Sequence, residues 1–354
     1  MNPTKALYYV IAALLLLGTL AGCGPEETGT NGEAPYTPGE HEVSFQTEDS
    51  SLAGTLVIPE GEGPFPAVIV IAGSGAFDRD GDVDARVALM QMAMLQPVMA
   101  ANSTYRDIAE ALSDAGMVTL RYDKRGVGSS TGEDGDFPEP SLRDLRAAVA
   151  FLRESPPADP GRIALVGHSL GGLWALMNAV EDPGIAAVCL MATPAKPMGE
   201  VIIEQITGLM ELAGANETSI AALVVQQQAI YAVLRSKVEG SGNLTGVSGD
   251  DLRFLAAIID VAGADYARKI ECPALIIQGD KDLFTVIPEE AELLREAFIG
   301  GGNEDVELIL FPDLDHLFRP TPGQPSVDLY YVDRGPIAPE VVEAIVDWMQ
   351  ATLQ

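Results

Sequence analysis

The chain has 354 residues, with 52 acidic against 21 basic side chains and a formal net charge of −31. Phosphate binding needs clustered Lys and Arg, so this balance excludes nucleic acid and an anionic membrane surface as electrostatic partners. With 47% hydrophobic and 21% charged residues the composition is that of a globular protein with ample core, neither disordered nor coiled coil.

Lys5 precedes an apolar run from Ala6 to Leu17, and small residues then lead into Leu20-Ala21-Gly22-Cys23. A positive start, a short apolar stretch and a small-residue cleavage site predict a secretory signal, and the run is too short for a comfortable membrane span. Leu-Ala-Gly-Cys resembles the bacterial lipobox, which implies removal of residues 1–22 and lipid attachment at Cys23. A plain signal peptide that happens to hold a cysteine is the alternative. The expected location is the cell envelope, lipid-anchored to the outer face of a membrane, or secreted. Residues 23–40, rich in Gly, Pro, Thr and Glu, bury too little surface to offset ordering entropy and are expected to form a flexible tether.

Val43 to Thr47 and Leu52 to Ile58 predict two strands meeting at a polar turn. Six short apolar runs follow: Ala67 to Ala72, Met117 to Leu120, Ile163 to Val166, Ala186 to Met191, Ala274 to Ile277 and Val306 to Leu310. Such runs, separated by helical patterns around Ile108, Leu145 and Ile345, are what a parallel sheet buried on both faces produces. The expected fold is a doubly wound α/β sheet of about eight strands with an antiparallel opening. Residues 195–268 break the alternation with helical stretches at Val201 to Leu212, Ile220 to Val238 and Leu252 to Ala262. They divide the core into 41–194 and 269–354. A second irregular stretch, Val83 to Ala101, crowds Met90, Met92, Met94 and Met99 together, as irregular core or a pliable wall for an apolar ligand. Cys189 and Cys272 fall in or beside neighbouring strands several residues out of register and are expected to stay free.

Chemistry concentrates after the Ile163 run, where Gly167-His168-Ser169-Leu170-Gly171 forms a G-x-S-x-G pentapeptide opening a helix. A serine on a sharp strand-to-helix turn needs small residues two before and two after it. The turn presents its hydroxyl at a helix N-terminus suited to an anionic intermediate. The sequence has three histidines. His41 lies at the tether's end and His168 sits inside the pentapeptide, so His316, in the loop after the last strand, is the expected base. Asp280 and Asp282 both follow the Ala274 run. Asp282 is the expected orienting acid because it lies far enough beyond the strand to reach the His loop, whereas Asp280 sits where a turn cap would. The oxyanion donors are expected to be the Leu170 N–H and the Ser74 N–H of Gly73-Ser74-Gly75, with Gly75 as the alternative. Asp78, Asp80, Asp82 and Asp84 alternate like calcium ligands but lack the glycine and distal glutamate of a helix-loop-helix site. No metal and no cofactor is expected.

The elbow, the Ser-Asp-His order and the insertion point resemble the α/β-hydrolase superfamily over residues 41–354. Ala72-Gly-Ser-Gly-Ala-Phe-Asp-Arg-Asp-Gly81 and Arg121-Tyr-Asp-Lys-Arg-Gly-Val-Gly-Ser129 are similar to exported bacterial carboxylesterases of the serine aminopeptidase-like subgroup. That resemblance implies a serine esterase acting on short acyl esters through an acyl-enzyme, with residues 195–268 as a helical cap. The Arg121 to Gly126 segment is expected to fix a loop through Arg–Asp pairing. Two alternatives remain: an exopeptidase on the same triad, which needs an acidic or carbonyl cluster in the cap around Glu204, Glu211, Glu217 and Glu239, and a non-catalytic surface-binding lipoprotein. An elbow serine, where dehalogenases and epoxide hydrolases carry Asp, disfavours those chemistries.

Overall fold

The structure is a computed structural model that describes residues 37–84, 88, 102–133, 137–239, 250–282 and 287–354. The signal segment, Cys23, nearly all of the tether and most of the Met-rich stretch lie outside the described residues.

Eight strands form one sheet: β1 (Gly39–Gln46), β2 (Ser51–Ile58), β3 (Phe65–Ile71), β4 (Val118–Tyr122), β5 (Ala158–His168), β6 (Ile185–Met191), β7 (Ala274–Gly279) and β8 (Val306–Phe311). Their spatial order is β1-β2-β4-β3-β5-β6-β7-β8. β1 pairs antiparallel with β2, and β2 antiparallel with β4; every later pairing is parallel. Among the described residues, the helices outside the region between β6 and β7 include α1 (Thr104–Asp114), α2 (Pro138–Glu154), α3 (Leu170–Glu181), α8 (Glu289–Gly300) and α9 (Pro339–Leu353), with a short 3₁₀ turn at Val327–Tyr331. Between β6 and β7 come α4 (Met198–Leu212), α5 (Glu217–Glu239), α6 (Asp250–Ile258) and α7 (Gly263–Ala267). This is the α/β-hydrolase fold.

The unbroken apolar runs follow from alternation of side chains across a sheet covered on both faces. Ala67, Ile69, Ile163, Leu165, Val188, Leu190, Ala274 and Ile276 point into one core, with Leu145 and Leu152 of α2, Leu173 and Trp174 of α3, and Leu294 and Phe298 of α8. The intervening Val68, Val70, Ala164, Val166, Cys189, Met191, Leu275 and Ile277 point into a second, with Ile108 and Leu112 of α1 and Val341, Ile345 and Met349 of α9. Helices α4 to α6 share a smaller core of Ile202, Ile206, Tyr231, Leu234, Leu255 and Ile259. Helix α7 instead buries Ala267 against the first main core.

Cys189 sits opposite Leu275, three residues past Cys272, and both thiols are free. Burial pushes the Cys189 thiol far up and the Cys272 thiol up to about 11, so neither is a thiolate near neutral pH. Among the described residues no helix is long and apolar enough to cross a membrane.

Candidate active site

Ser169 stands between the end of β5 and the start of α3, with φ 53° and ψ −121°. A non-glycine residue at positive φ stores roughly 1–3 kcal/mol of strain and persists only where its surroundings impose it. Here they do. The Ser169 N–H donates to the Met191 carbonyl at 2.7 Å, which ties the turn to the end of β6. A Cβ on Gly167 would lie 2.5 Å from the Gly171 carbonyl oxygen, and one on Gly171 would lie 2.5 Å from the carbonyl oxygens of Ile71 and Ala72. Only glycine fits on either side of the serine, as the elbow's mechanics require. Leu170 is the first residue of α3, so its N–H has no acceptor within the helix.

The loops after β7 and β8 bring Asp282 to His316. Asp282 Oδ2 accepts from His316 Nδ1 at 2.6 Å, and the two side chains are 0% and 9% exposed. Charge-assisted bonds of this length are about twice as strong as neutral ones, and burial removes competing water. Gln278, buried at the end of β7, donates from Nε2 to the same Asp282 oxygen at 3.2 Å. Asp280 faces elsewhere: its Oδ1 accepts from the Asp313 N–H at 2.7 Å, closing the turn between the two loops. His316 is braced by its predecessor Asp315, whose Oδ1 accepts from the Leu317 and Arg319 N–H groups while Oδ2 pairs with Arg334 at 2.6 Å.

Gly73 is buried against the elbow, its Cα so placed that a Cβ would lie 3.3 Å from Ser169 Cβ, while the next residue, Ser74, is exposed. Lys124 Nζ donates to the Gly73 carbonyl at 2.8 Å and also to the Gly75 carbonyl. In a trans peptide the N–H points opposite to the C=O, so a Gly73 carbonyl drawn toward Lys124 turns the Ser74 N–H away from it. Lys124 belongs to the segment expected to act as a loop brace, and its neighbours do so. Arg121 Nε donates to Asp80 Oδ1 at 2.7 Å; Asp123 takes both Nε and Nη2 of Arg79, at 3.2 and 3.1 Å; Arg125 is paired with Asp144. The alternating aspartates serve the same loop. Asp78 Oδ1 accepts the N–H groups of Asp80, Gly81 and Asp82, and Asp82 those of Asn102 and Ser103.

His41 lies on β1, 2.6 Å from the Thr37 carbonyl, remote in the sheet order from the other two histidines. His168 turns inward. Its ring centroid is 4.7 Å from that of His316, its Nδ1 is 3.0 Å from Tyr105 Oη, and its Nε2 is 2.9 Å from the His316 carbonyl oxygen. Burial, reinforced by the His316 ring beside it, lowers its pKa to about 3, so it is neutral in the folded protein. Sequence reasoning did not find Tyr105, His168, Lys124 or Gln278 as site residues. The only signal was the buried run of Ile276, Ile277 and Gln278, where a fully buried amide demands a polar partner.

A histidine held neutral in the fold takes up its proton first in the unfolded chain, so its contribution to stability is complete above pH 6.5 and is lost as pH falls toward 3. His168→Asn removes that titration. The stability deficit of the variant against the parent is expected to shrink by about 1.4 kcal/mol per unit as pH drops from 6.5 to 4.5. Urea unfolding at pH 7.5, 5.5 and 4.5 measures it, and a deficit constant with pH would contradict a neutral His168.

Residues 100–318 match the family described as serine aminopeptidase, S33. Esterase EstD of Thermotoga maritima is 28% identical over 310 residues, covering 86% of this chain and 68% of that protein. Two solved structures share the fold. The α/β hydrolase GrgF from a Penicillium species has a TM-score of 0.56 at 20% identity, covering 89% of this chain and 99% of its own. The Pyrococcus furiosus esterase Pf2001 has a TM-score of 0.56 at 18% identity, covering 95% and 100% respectively.

Proposed function

Because this chain belongs to the serine aminopeptidase S33 family, we propose that it is a serine hydrolase that cleaves carboxylic esters of short acyl chains, with Ser169 as nucleophile, His316 as base and Asp282 as the acid that orients it. The observation that carries this reading is the buried Asp282–His316 pair at 2.6 Å, in the same structure as a serine held at φ 53° on the elbow. With Nδ1–H committed to Asp282, His316 presents Nε2 as a proton acceptor. Ser169 Oγ attacks the ester carbonyl as His316 takes its proton. The tetrahedral oxyanion is met by the N–H groups of Leu170 and Ser74, neither of which has another partner among the described residues. His316 then protonates the departing alcohol, and water, activated by the same imidazole, releases the acid from the acyl-enzyme. No step calls for a metal or cofactor.

Helices α4 to α6 form the cap of this proposal, leaving and rejoining the core through an antiparallel bridge between Pro197 and Ala262. Among the described residues, no three acidic side chains of these helices gather into a cluster that would hold a free amine. Glu204 pairs with Lys196 at 2.6 Å, a lysine it shares with Glu290, Glu211 and Glu217 are exposed, and the Glu239 side chain lies outside the described residues. Export and anchoring through a lipid on Cys23 belong to the same proposal and rest on the Leu20 to Cys23 motif. The test is turnover of p-nitrophenyl acetate and butyrate against aminoacyl p-nitroanilides at equal concentration. Ester cleavage is expected to exceed anilide cleavage by at least about 100-fold per active site, the order of a site's discrimination between substrates. Faster anilide cleavage would replace the esterase reading with the peptidase one.

A further inference from the structure

Three loops meet at the elbow, and a buried chain of hydrogen bonds joins them: from the Gly73 N–H to Tyr105 Oη at 3.0 Å, from Tyr105 to His168 Nδ1 at 3.0 Å, and from His168 Nε2 to the His316 carbonyl at 2.9 Å. The two ends of the chain fix its polarity. A backbone N–H only donates, so the Tyr105 oxygen accepts from Gly73; a carbonyl only accepts, so the His168 proton sits on Nε2. The neutral ring then offers Nδ1 as an acceptor, and the Tyr105 hydroxyl donates to it. Tyr105 is 4% exposed and His168 also 4%, so water does not compete for these positions.

The loops so joined each carry one part of the proposed machinery. Gly73 precedes Ser74, the second oxyanion donor; His168 precedes the nucleophile; the His316 carbonyl belongs to the base itself. We propose that Tyr105 and His168 are positioning residues, with His168 locked as its neutral Nε2–H tautomer, that hold the oxyanion loop and the His316 loop in register with the Ser169 elbow. The proposal rests on the reading of Ser169 and His316 as nucleophile and base. Their hydrogen bonds run through each other and through the backbone, to the Gly73 N–H at one end and the His316 carbonyl at the other. Lys124 grips the carbonyl of Gly73 while Tyr105 grips its N–H, so the peptides on both sides of this glycine are held. Displacement of a reacting group by about 1 Å costs on the order of 100-fold in rate, and loss of one oxyanion donor about 10²- to 10³-fold.

Tyr105→Phe keeps the ring and removes the hydroxyl. Its kcat, counted per site titrated with a fluorophosphonate, is expected to fall about 10- to 100-fold with KM changed less than about threefold, because the displaced groups act on the transition state rather than on bound substrate. A role in packing alone would lower the number of titratable sites and leave kcat per site unchanged. In long-range ¹H–¹⁵N spectra of the unmutated protein, His168 is expected to show the neutral Nε2–H pattern from pH 5 to pH 8, and Tyr105→Phe is expected to shift its Nδ1 resonance. A kcat per site within twofold of the parent overturns the proposal, as does an Nδ1–H tautomer in the unmutated protein. The spectrum is read without turnover, and failure of the unmutated protein to react with the fluorophosphonate would count against the Ser169 reading alone.

Discussion

Ser169→Ala is expected to lower turnover of a short p-nitrophenyl ester by at least about 10⁴-fold while leaving the fold intact. In serine hydrolases with an intact oxyanion hole, loss of the nucleophile removes the covalent route and leaves only binding and oxyanion stabilisation, a deficit that reaches about 10⁶ in kcat. The Leu170 and Ser74 N–H groups survive the substitution, because both belong to the backbone. Alanine keeps the Cβ and therefore the strain of a positive φ, so the melting temperature is expected to move by no more than about 2 °C, within the half kcal/mol of a substitution that creates no cavity or unpaired group. Ser169→Gly separates catalysis from strain. It is expected to be as inactive as the alanine variant and more stable than it by about 1 kcal/mol, since glycine populates φ near +53° without a Cβ clash. Kinetics with active-site titration and thermal melts of both variants provide the comparison. Turnover by Ser169→Ala above about one part in 10³ of the parent would remove Ser169 from the role of nucleophile.

Much of this architecture is legible in the sequence because the sheet is buried twice. Residues of β3, β5, β6 and β7 alternate between two cores, so each run is apolar throughout, and each was found within a few residues of its ends. The misjudged boundaries have a common cause. β5 begins at Ala158, five residues before the apolar run, in a polar Asp-Pro-Gly-Arg stretch where its register against β3 shifts. β1 begins at Gly39, inside the stretch expected as tether. As an edge strand paired only with β2 it buries little besides Phe45, and its Glu40 and Glu42 are held by Arg121 and Arg79 rather than by packing. Periodicity reports burial, and these segments are held by pairing and charge. The same division runs through the candidate site. Ser169 announces itself by the spacing of its glycines, and His316 by the scarcity of histidine. Tyr105 and Lys124 act through bonds to partners about 30 to 60 residues away in sequence, and no local pattern records such partners. His168, inside the pentapeptide, offers no sequence signal of a role, and its inward direction is what lets it join three loops.

Asp282→Asn carries the second large effect, an expected fall of about 10⁴-fold in kcat with KM little changed. In the proposed mechanism the carboxylate does two things for His316: it fixes the proton on Nδ1, leaving Nε2 as the acceptor, and it stabilises the imidazolium formed when Ser169 gives up its proton. An amide that turns its NH₂ toward Nδ1 forces the opposite tautomer and removes the base. An amide that turns its oxygen that way keeps the tautomer but supplies no charge. Gln278 Nε2 donates to the same carboxylate oxygen that His316 uses, so it favours the second orientation. Gln278→Leu added to Asp282→Asn frees the amide to turn and is therefore expected to deepen the defect rather than relieve it. Asp280→Asn is the matched control. Its carboxylate accepts from the Asp313 N–H, a turn contact that an amide oxygen can keep, so the variant is expected to change kcat less than threefold and the melting temperature by no more than about 2 °C. Steady-state kinetics on the three variants, normalised to titrated sites, decide the assignment. A collapse of activity in Asp280→Asn with Asp282→Asn near the parent rate would exchange the two acids, and His316 would then have to leave the 2.6 Å contact that the structure gives it with Asp282.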